Sequence, residues 1–242
     1  MSVLTLRLAG PLQSWGAASR FTRRATEAMP TKSGIIGLLA AAQGRRRSDP
    51  IEDLLGLELA VRTEQQGTIL RDFHTAHHQT SGKAMPLTER FYWADAVFTA
   101  HIGGPFPVLD GLAEALRDPA YPIYLGRRSC VPDGRVVIGV SDHSVAESVR
   151  DLEWTPGYSG KRVHRKEALV RLAVQADQSV FPDETAAREL NDVPLSFDSE
   201  LRRYRSRTVV ETIVGVPNPF VEPASDHPGI AHDPMAVLGG IS

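Results

Sequence analysis

Apolar residues recur along residues 1–140 in patterns that predict an ordered set of strands and helices. Leu4, Leu6 and Leu8 alternate with polar side chains and predict a strand that ends at Gly10 and Pro11. The next predicted elements are a helix from Thr31 or Ser33 to Gly44, strands at 57–62 and 90–102, a helix at 107–117, and short strands at 122–125 and 135–140. This order is that of a split ferredoxin-like unit, in which two helices cover one face of a four-stranded antiparallel sheet and the other face is free.

The rest of the chain predicts a smaller, β-rich unit, with a short helix at 145–152 and strands at 167–175 and 206–214. We therefore expect an α+β protein with a ferredoxin-like (RRM-like) N-terminal domain over residues 1–142 and a small C-terminal β-rich domain over 143–220. The tail over 221–242 is rich in Pro, Asp, Gly and His, and we expect it to pack weakly or to be disordered.

Composition restricts the class of protein. The 242 residues are 42% hydrophobic and 23% charged, which is ordinary for a globular protein. The single cysteine, Cys130, excludes an internal disulfide and a cysteine-rich zinc site and indicates a reducing compartment. No apolar run approaches the roughly 20 residues of a membrane span, and the first residues do not form a signal segment. We expect a cytoplasmic protein.

Charge is distributed unevenly along the chain. The net charge of −2 argues against a protein that coats nucleic acid without selectivity. Residues 1–50, however, contain eight Lys or Arg residues against two acidic ones. This basic first quarter is typical of a protein that binds a polyanion at one localised site, and a solvated basic face is the alternative.

The stretch "PTKSG" at residues 30–34 predicts an anion site at the start of a helix. The glycine that a Walker A motif needs before its Gly-Lys pair is missing, so a P-loop nucleoside triphosphatase is excluded. The free amides near Ser33 and Gly34, with the charge of Lys32, suit a single phosphate. An ordinary helix cap is the alternative.

Two other stretches predict ligand contacts. Arg127 and Arg128 follow Gly126 at a predicted strand end, where arginine suits bidentate phosphate contacts and glycine allows a close backbone approach. Gln13 and Trp15 lie in the loop after the first strand, where we expect them to line a rim that binds a base, although Trp15 also fits a plug in the core. The basic stretches at 161–166 and 202–207 are more typical of solvated or acid-binding surfaces.

The histidines in "RDFHTAHH" raise the possibility of catalysis. Beside His74, His77 and His78 only Asp72 lies at a metal-binding offset, and the segment leads into a loop, so we expect no metal site and no cofactor. His74 or His77 with Tyr92 or Lys83 is the alternative, as a general-base site of a metal-independent ribonuclease.

Five stretches together resemble one family. They are "LRLAGPLQSWG", "PTKSGIIGLL", "LRDFHT", "TERFYWADAVFTA" and "YPIYLGRRSC", and they follow the order and nearly the wording of the CasD family. Members of that family are subunits of the type I-E CRISPR surveillance complex, Cascade. The similarity is dense over residues 3–131, with a weaker match at "RRYRSRTVVE".

The resemblance implies a non-catalytic subunit that caps the 5′ handle of the CRISPR RNA and contacts the backbone subunit CasC and the large subunit CasA. It also implies a thumb hairpin, at about residues 75–89, that wedges into the RNA. A sister family cuts the repeat RNA, which keeps the ribonuclease alternative open. With the residues above, the predicted RNA-binding set is Gln13, Trp15, Lys32, Ser33, Gly34, Arg71, His74, Arg90, Tyr124, Gly126, Arg127 and Arg128.

Overall fold

The computed structural model describes residues 1–16, 23–198 and 202–222. Its strands are β1 (Ser2–Ala9), β2 (Leu12–Gln13), β3 (Arg23–Arg24), β4 (Glu58–Gln65), β5 (Thr68–His74), β6 (Thr88–Ala94), β7 (Val97–Gly104), β8 (Val137–Ser141), β9 (Leu169–Asp177), β10 (Ala187–Ser196) and β11 (Arg203–Pro217). Its helices are α1 (Lys32–Ala42), α2 (Glu52–Leu55), α3 (Phe106–Arg117), α4 (Val145–Asp151) and α5 (Tyr158–Val163). None of the helices in the described ranges combines the length and apolar character of a membrane span.

One large antiparallel sheet organises the molecule. Its strands lie in the order β10-β11-β9-β4-β7-β1-β8, and each neighbouring pair is antiparallel. The predicted α+β class is confirmed in this coarse form, as a large antiparallel sheet with few helices. The C-terminal strands do not form the separate small sheet that we expected, because β9 pairs with β4 and extends the first sheet.

Helices α1 and α3 pack on one face of this sheet because their apolar residues recur at helical spacing. In α3 the buried positions are Leu109, Leu112, Ala113 and Leu116. They join the leucines of β1 and the apolar face of α1 in one core, where each fully buried leucine contributes about 1.5–3 kcal/mol. This packing fixes where α1 begins, which decides the geometry of the site described below.

The opposite face of the sheet is covered, so the expectation of a free face is wrong. Val3 and Ala60 point to this side and pack against Val145 and Val149 of α4 and against Trp154. The reason is the alternation of β1, whose even-numbered leucines face α1 while its odd-numbered residues face α4. RNA therefore has no open sheet surface on this side of β1 and β4.

A buried ion pair fixes α4 in this position. Arg62 and Glu64 are both fully buried, with the Arg62 Nε 2.6 Å from the Glu64 Oε1. The Arg62 guanidinium also donates to the carbonyls of Val149, Leu152 and Glu153, which have no partner within the helix. A charge that is both paired and fully hydrogen-bonded is tolerated in such an interior.

His101 lies in the same buried layer. Its Nδ1 is 2.8 Å from the Ser148 Oγ and its Nε2 is 3.1 Å from the Thr99 Oγ1. Burial, reinforced by the charge of Arg62, lowers the pKa of His101 to about 3. The imidazole is therefore neutral in the folded protein at physiological pH.

The strands around residues 68–104 differ from the prediction. A single strand at 90–102 was expected, but β6 and β7 are separate because Asp95 adopts a left-handed conformation with φ of 56°. The predicted short strand at 122–125 is an irregular loop, and β5 and β10 were not predicted. Strands β5 and β6 instead form a hairpin, which surrounds the segment predicted as the thumb and belongs to the smaller sheet with β2 and β3. The predicted tail lies outside the described residues beyond 222.

Candidate functional site

A basic cavity of about 520 Å³ lies beside the start of α1. It is bounded by the loops at 14–16 and 122–127 and by the residues that flank 199–201. Its described lining contains no acidic side chain. Six arginines line it, namely Arg24, Arg45, Arg46, Arg47, Arg127 and Arg202. The volume falls within the usual range of ligand pockets, about 300–1,000 Å³. We call this space the basic cavity.

Arg127 is held rigidly in the wall of the basic cavity. Its guanidinium donates to the carbonyls of Phe91, at 3.2 Å, and Arg24, at 2.8 Å. It also lies 4.7 Å from the centre of the Tyr92 ring, a cation–π distance. Because its geometry is fixed by the protein, Arg127 loses little side-chain entropy when it binds an anion.

The other arginines differ in how free they are. Arg45 is paired with Asp53 through two hydrogen bonds of 2.5 Å, and the hydrogen bond with Asp53 raises the pKa of Arg45. Arg46, Arg47 and Arg202 are exposed. Together with Arg24, which is also exposed, these three carry the charge that is most available to a polyanion.

Aromatic side chains complete the wall. Tyr124, Phe197 and Tyr204 line the basic cavity, and each is half-buried. An aromatic ring beside a basic groove is the arrangement on which single-stranded bases stack, at about 1–3 kcal/mol per base.

The predicted phosphate position at the start of α1 is already occupied by the chain's own carboxylate. The Lys32 amide donates to the Asp192 Oδ2 at 2.7 Å, and the Gly34 amide donates to the Thr31 Oγ1 at 3.2 Å. The Lys32 ammonium lies 3.1 Å from the Asp177 Oδ2 and is nearly buried. The prediction that Lys32 binds a phosphate is therefore wrong, because its charge is used inside the protein.

Arg207 completes a buried ion cluster behind this wall. Its Nε and Nη2 donate to Asp192 at 2.7 and 3.0 Å, and its Nη1 donates to Asp177 at 2.6 Å. Burial opposes the charge of Arg207, but its hydrogen bonds and charge interactions with Asp192 and Asp177 outweigh it and raise its pKa. With Lys32, the cluster ties β9, β10 and β11 to the start of α1, and so places Phe197 and Tyr204 against the cavity.

Gln13 and Trp15 are structural, which corrects the prediction that they contact a base. Both are fully buried. The Gln13 Nε2 donates to the carbonyls of Leu8, at 2.9 Å, and Ala96, at 2.8 Å, while its Oε1 accepts from the Trp15 Nε1. Trp15 packs directly on Gly34, where a Cβ would lie 2.6 Å from the indole. The core plug considered for Trp15 is therefore the arrangement observed.

Gly126 is needed for contact between two loops of the chain. Its φ of 89° lies in the left-handed region, and a Cβ at this position would lie 1.8 Å from the carbonyl oxygen of Ser14. The close backbone approach predicted for this glycine is therefore made by the protein itself. Its effect on the site is indirect, because it fixes Tyr124 and Arg127 beside the loop of Ser14.

Besides Gln13 and Lys32, four predicted residues lie outside the lining of the basic cavity. Arg71 and His74 are on β5, where Arg71 pairs with Glu89 at 2.7 Å and His74 lies 3.3 Å from Asp72. Arg128 is exposed and does not line the cavity.

Arg90, on β6, is the fourth. Its Nε is buried and has no hydrogen-bond partner within the described ranges. Of the predicted set, the structure therefore gathers Ser33, Gly34, Tyr124, Gly126 and Arg127 around one cavity, with Trp15 enclosed behind it.

Of the ribonuclease alternative, His74 and Tyr92 are not brought together, whereas His77 pairs with Ala84, the neighbour of Lys83, away from the basic cavity. In the β5–β6 register, His74 pairs with Thr88, whereas Tyr92 is opposite Leu70. Four residues along a strand separate them by on the order of 13 Å. Tyr92 is also buried beneath Arg127. Among the described residues no cluster of three or more His, Cys, Asp or Glu side chains could hold a metal ion.

Sequence reasoning missed most of the arginines and two of the aromatic residues. The excess of basic residues in 1–50 pointed to Arg24, Arg45, Arg46 and Arg47 without naming their partners. The stretch at 202–207 was interpreted as a solvated surface, but Arg202 and Tyr204 face the basic cavity while Arg207 is internal. No local signal predicts Phe197.

Comparisons with known proteins agree with one another. A family model described as CRISPR-associated protein (Cas_Cas5) matches residues 3–210. The chain is 36% identical to the CRISPR system Cascade subunit CasD of Escherichia coli (strain K12), over 53% of this chain and 66% of that subunit. A solved structure described as a CRISPR RNA-guided surveillance complex has a TM-score of 0.73 and 37% identity, covering 93% of this chain and 95% of that chain. Another, described as a Cas protein, has a TM-score of 0.69 and 32% identity, covering 90% and 97%.

Proposed function

Because the chain belongs to the CRISPR-associated Cas5 family, we propose that it is a Cascade subunit that holds the 5′ handle of the CRISPR RNA in the basic cavity. The observation that carries this proposal is the cavity itself, which combines six arginines and three aromatic side chains with no acidic residue in its described lining. A folded single strand presents phosphates and unstacked bases together, and this lining matches both.

The strand order supports the finer assignment of a ferredoxin-like unit. Strands β4, β7, β1 and β8 are neighbours in that order, and α1 and α3 follow β1 and β7 in the chain. This is the strand-helix-strand-strand-helix-strand unit predicted from periodicity. The hairpin of β5 and β6 would then be the thumb.

We further propose that the subunit contacts the backbone subunit CasC and the large subunit CasA, and that it does not cut RNA. The non-catalytic assignment is supported by the separation of His74 from Tyr92 and by the burial of Tyr92. A ribonuclease would need a general base within hydrogen-bond reach of the ribose hydroxyl, next to groups that stabilise the leaving oxygen.

The test is binding of fluorescein-labelled repeat-handle RNA, measured by fluorescence anisotropy over a range of salt concentrations. Replacing Arg46, Arg47 and Arg202 together by Ala removes three exposed cations from the basic cavity. We expect the slope of log affinity against log salt to fall in magnitude by about 2, since each phosphate contact of a single strand contributes about 0.7. Because the three side chains are exposed, the melting temperature should stay as in the wild type.

The matched control is replacement of Arg135, Arg171 and Arg205 by Ala, which removes the same charge from exposed positions outside the cavity. Equal slopes for the two triple variants would contradict the proposed site. Incubation of the wild type with labelled repeat RNA in a chelator tests catalysis separately. A product that ends in a 2′,3′-cyclic phosphate would show that the protein is the ribonuclease instead.

A further inference from the structure

The segment of α5 and the residues after it, 158–167, form a second basic surface that the basic cavity does not use. Residues Tyr158, Ser159, Arg162, Val163, Arg165, Lys166 and Glu167 line an open depression of about 630 Å³. The segment carries four cationic side chains, counting Lys161, against the single carboxylate of Glu167. We call it the α5 surface.

The backbone of the α5 surface is firmly anchored. The Gly160 amide donates to the Gln65 Oε1 at 2.6 Å, and the Ser159 hydroxyl donates to the Asp95 Oδ2 at 2.6 Å. The His164 ring packs edge-on against the buried Trp154, with 5.5 Å between ring centres. A surface held at both ends in this way presents its outward side chains in a fixed arrangement.

The outward side chains are cationic and aromatic. Tyr158 is 80% exposed, so most of its ring is in solvent. Arg162 and Lys166 are exposed and form no ion pair within the described ranges, whereas Lys161 lies over the Phe220 ring at 3.8 Å. An exposed ring beside two unpaired cations is the combination on which a base can stack while its phosphates are neutralised.

The α5 surface lies on the other side of the main sheet from the basic cavity. Trp154, on which His164 packs, belongs to the core on the α4 side, whereas α1 and the cavity lie on the opposite side. The two sites share no lining residue. A single short stretch of bound nucleic acid therefore cannot contact both the basic cavity and the α5 surface.

We propose that the α5 surface binds a second stretch of single-stranded nucleic acid, with a base on Tyr158 and phosphates on Arg162 and Lys166. We favour nucleic acid over an acidic protein surface because the exposed ring and the two unpaired cations line one depression, which suits a stacked base and its phosphates. The proposal does not rest on the role of the basic cavity, because different residues carry it.

The experiment uses the full chain in which Arg46, Arg47 and Arg202 are replaced by Ala, so that the cavity contributes little to binding. The probes are fluorescein-labelled oligouridylate RNA and oligothymidylate DNA, followed by anisotropy over a range of salt concentrations. Adding R162A and K166A should reduce the magnitude of the salt slope by about 1.4, as expected for two phosphate contacts with a single strand. Adding Y158A alone should weaken binding at least about five-fold, because a stacked base is lost.

The matched control adds R135A and R171A to the same background, which removes two exposed charges outside both surfaces. Binding of either oligonucleotide with the expected losses supports the proposal. An unchanged slope after R162A and K166A, or unchanged affinity after Y158A, overturns it. If the three cavity substitutions leave handle binding intact while the α5 substitutions reduce it, the cavity assignment fails and the α5 proposal stands.

Discussion

Replacing Arg207 by Ala should destabilise the protein and weaken RNA binding at the same time. Arg207 makes three hydrogen bonds to Asp192 and Asp177, and the side chains of all three residues are at most 13% exposed. Breaking a buried ion pair costs about 3–5 kcal/mol because the partner charge is left unpaired. The lower end applies here, since Asp177 retains Lys32 and Asp192 retains the Lys32 amide.

A cost of about 3 kcal/mol lowers the melting temperature by about 6–12 °C in a chain of this size. Thermal unfolding followed by circular dichroism measures this shift. Handle-RNA affinity should fall as well, because the cluster holds β11 and its cavity residue Tyr204 against α1. The variant R207K keeps a charge but cannot span both carboxylates, so its melting temperature should lie between those of the wild type and R207A.

The matched control is R205A, which removes an exposed arginine two positions earlier on the same strand. It should melt as the wild type does. A melting temperature of R207A within about 1 °C of the wild type would refute the reasoning, because a charge pair that costs nothing to break is not stabilising β11.

Two further predictions concern the loop beside the cavity and the buried histidine. G126A should lower both the melting temperature and the RNA affinity, because the new Cβ would meet the Ser14 carbonyl. G134A has a similar positive φ but open space around the new Cβ, so it should cost only about 1–2 kcal/mol of backbone strain. Equal losses in the two variants would contradict this account. His101 binds a proton in the unfolded chain near pH 6.5 but in the folded protein only near pH 3, so stability falls as the pH drops between these values. Relative to H101Q, the wild type should lose about 2.3 kcal/mol in denaturant unfolding between about pH 6.5 and 4.5, and parallel pH profiles would show that the histidine is not the cause.

Strong periodicity made the main elements predictable from sequence. The alternation at Leu4, Leu6 and Leu8 predicts β1, and the helical spacing of Leu109, Leu112 and Leu116 predicts α3. Strand β10 has no such pattern, because Asp192 is buried in an ion cluster and occupies a position where an apolar residue is expected. A buried charged residue breaks the alternation of apolar and polar residues, so the sequence pattern predicts a loop where the structure has a strand.

The candidate site was predictable only in part, because the role of each side chain depends on contacts with residues that are far away in the sequence. The position of Lys32 at a helix start predicts a phosphate ligand. In the structure, its ammonium is paired instead with Asp177, which lies 145 positions later in the chain. Gln13 and Trp15 have the side chains of a base-binding loop, but inside the core the Trp15 Nε1 donates to the Gln13 Oε1, and Gln13 donates to the carbonyls of Leu8 and Ala96. Arg127 keeps its predicted place because it is packed on Tyr92 with its guanidinium still partly exposed.

The wall of the basic cavity has a consequence for how the protein is made. Arg24 and the arginines at 45–47 leave the ribosome early, whereas Phe197, Arg202 and Tyr204 follow about 150 residues later. A nascent chain therefore displays four of the six cavity arginines well before Phe197 and Tyr204 have been made. Under the proposed function, the complete wall that would hold the RNA therefore forms only after β11 has joined the sheet, late in translation.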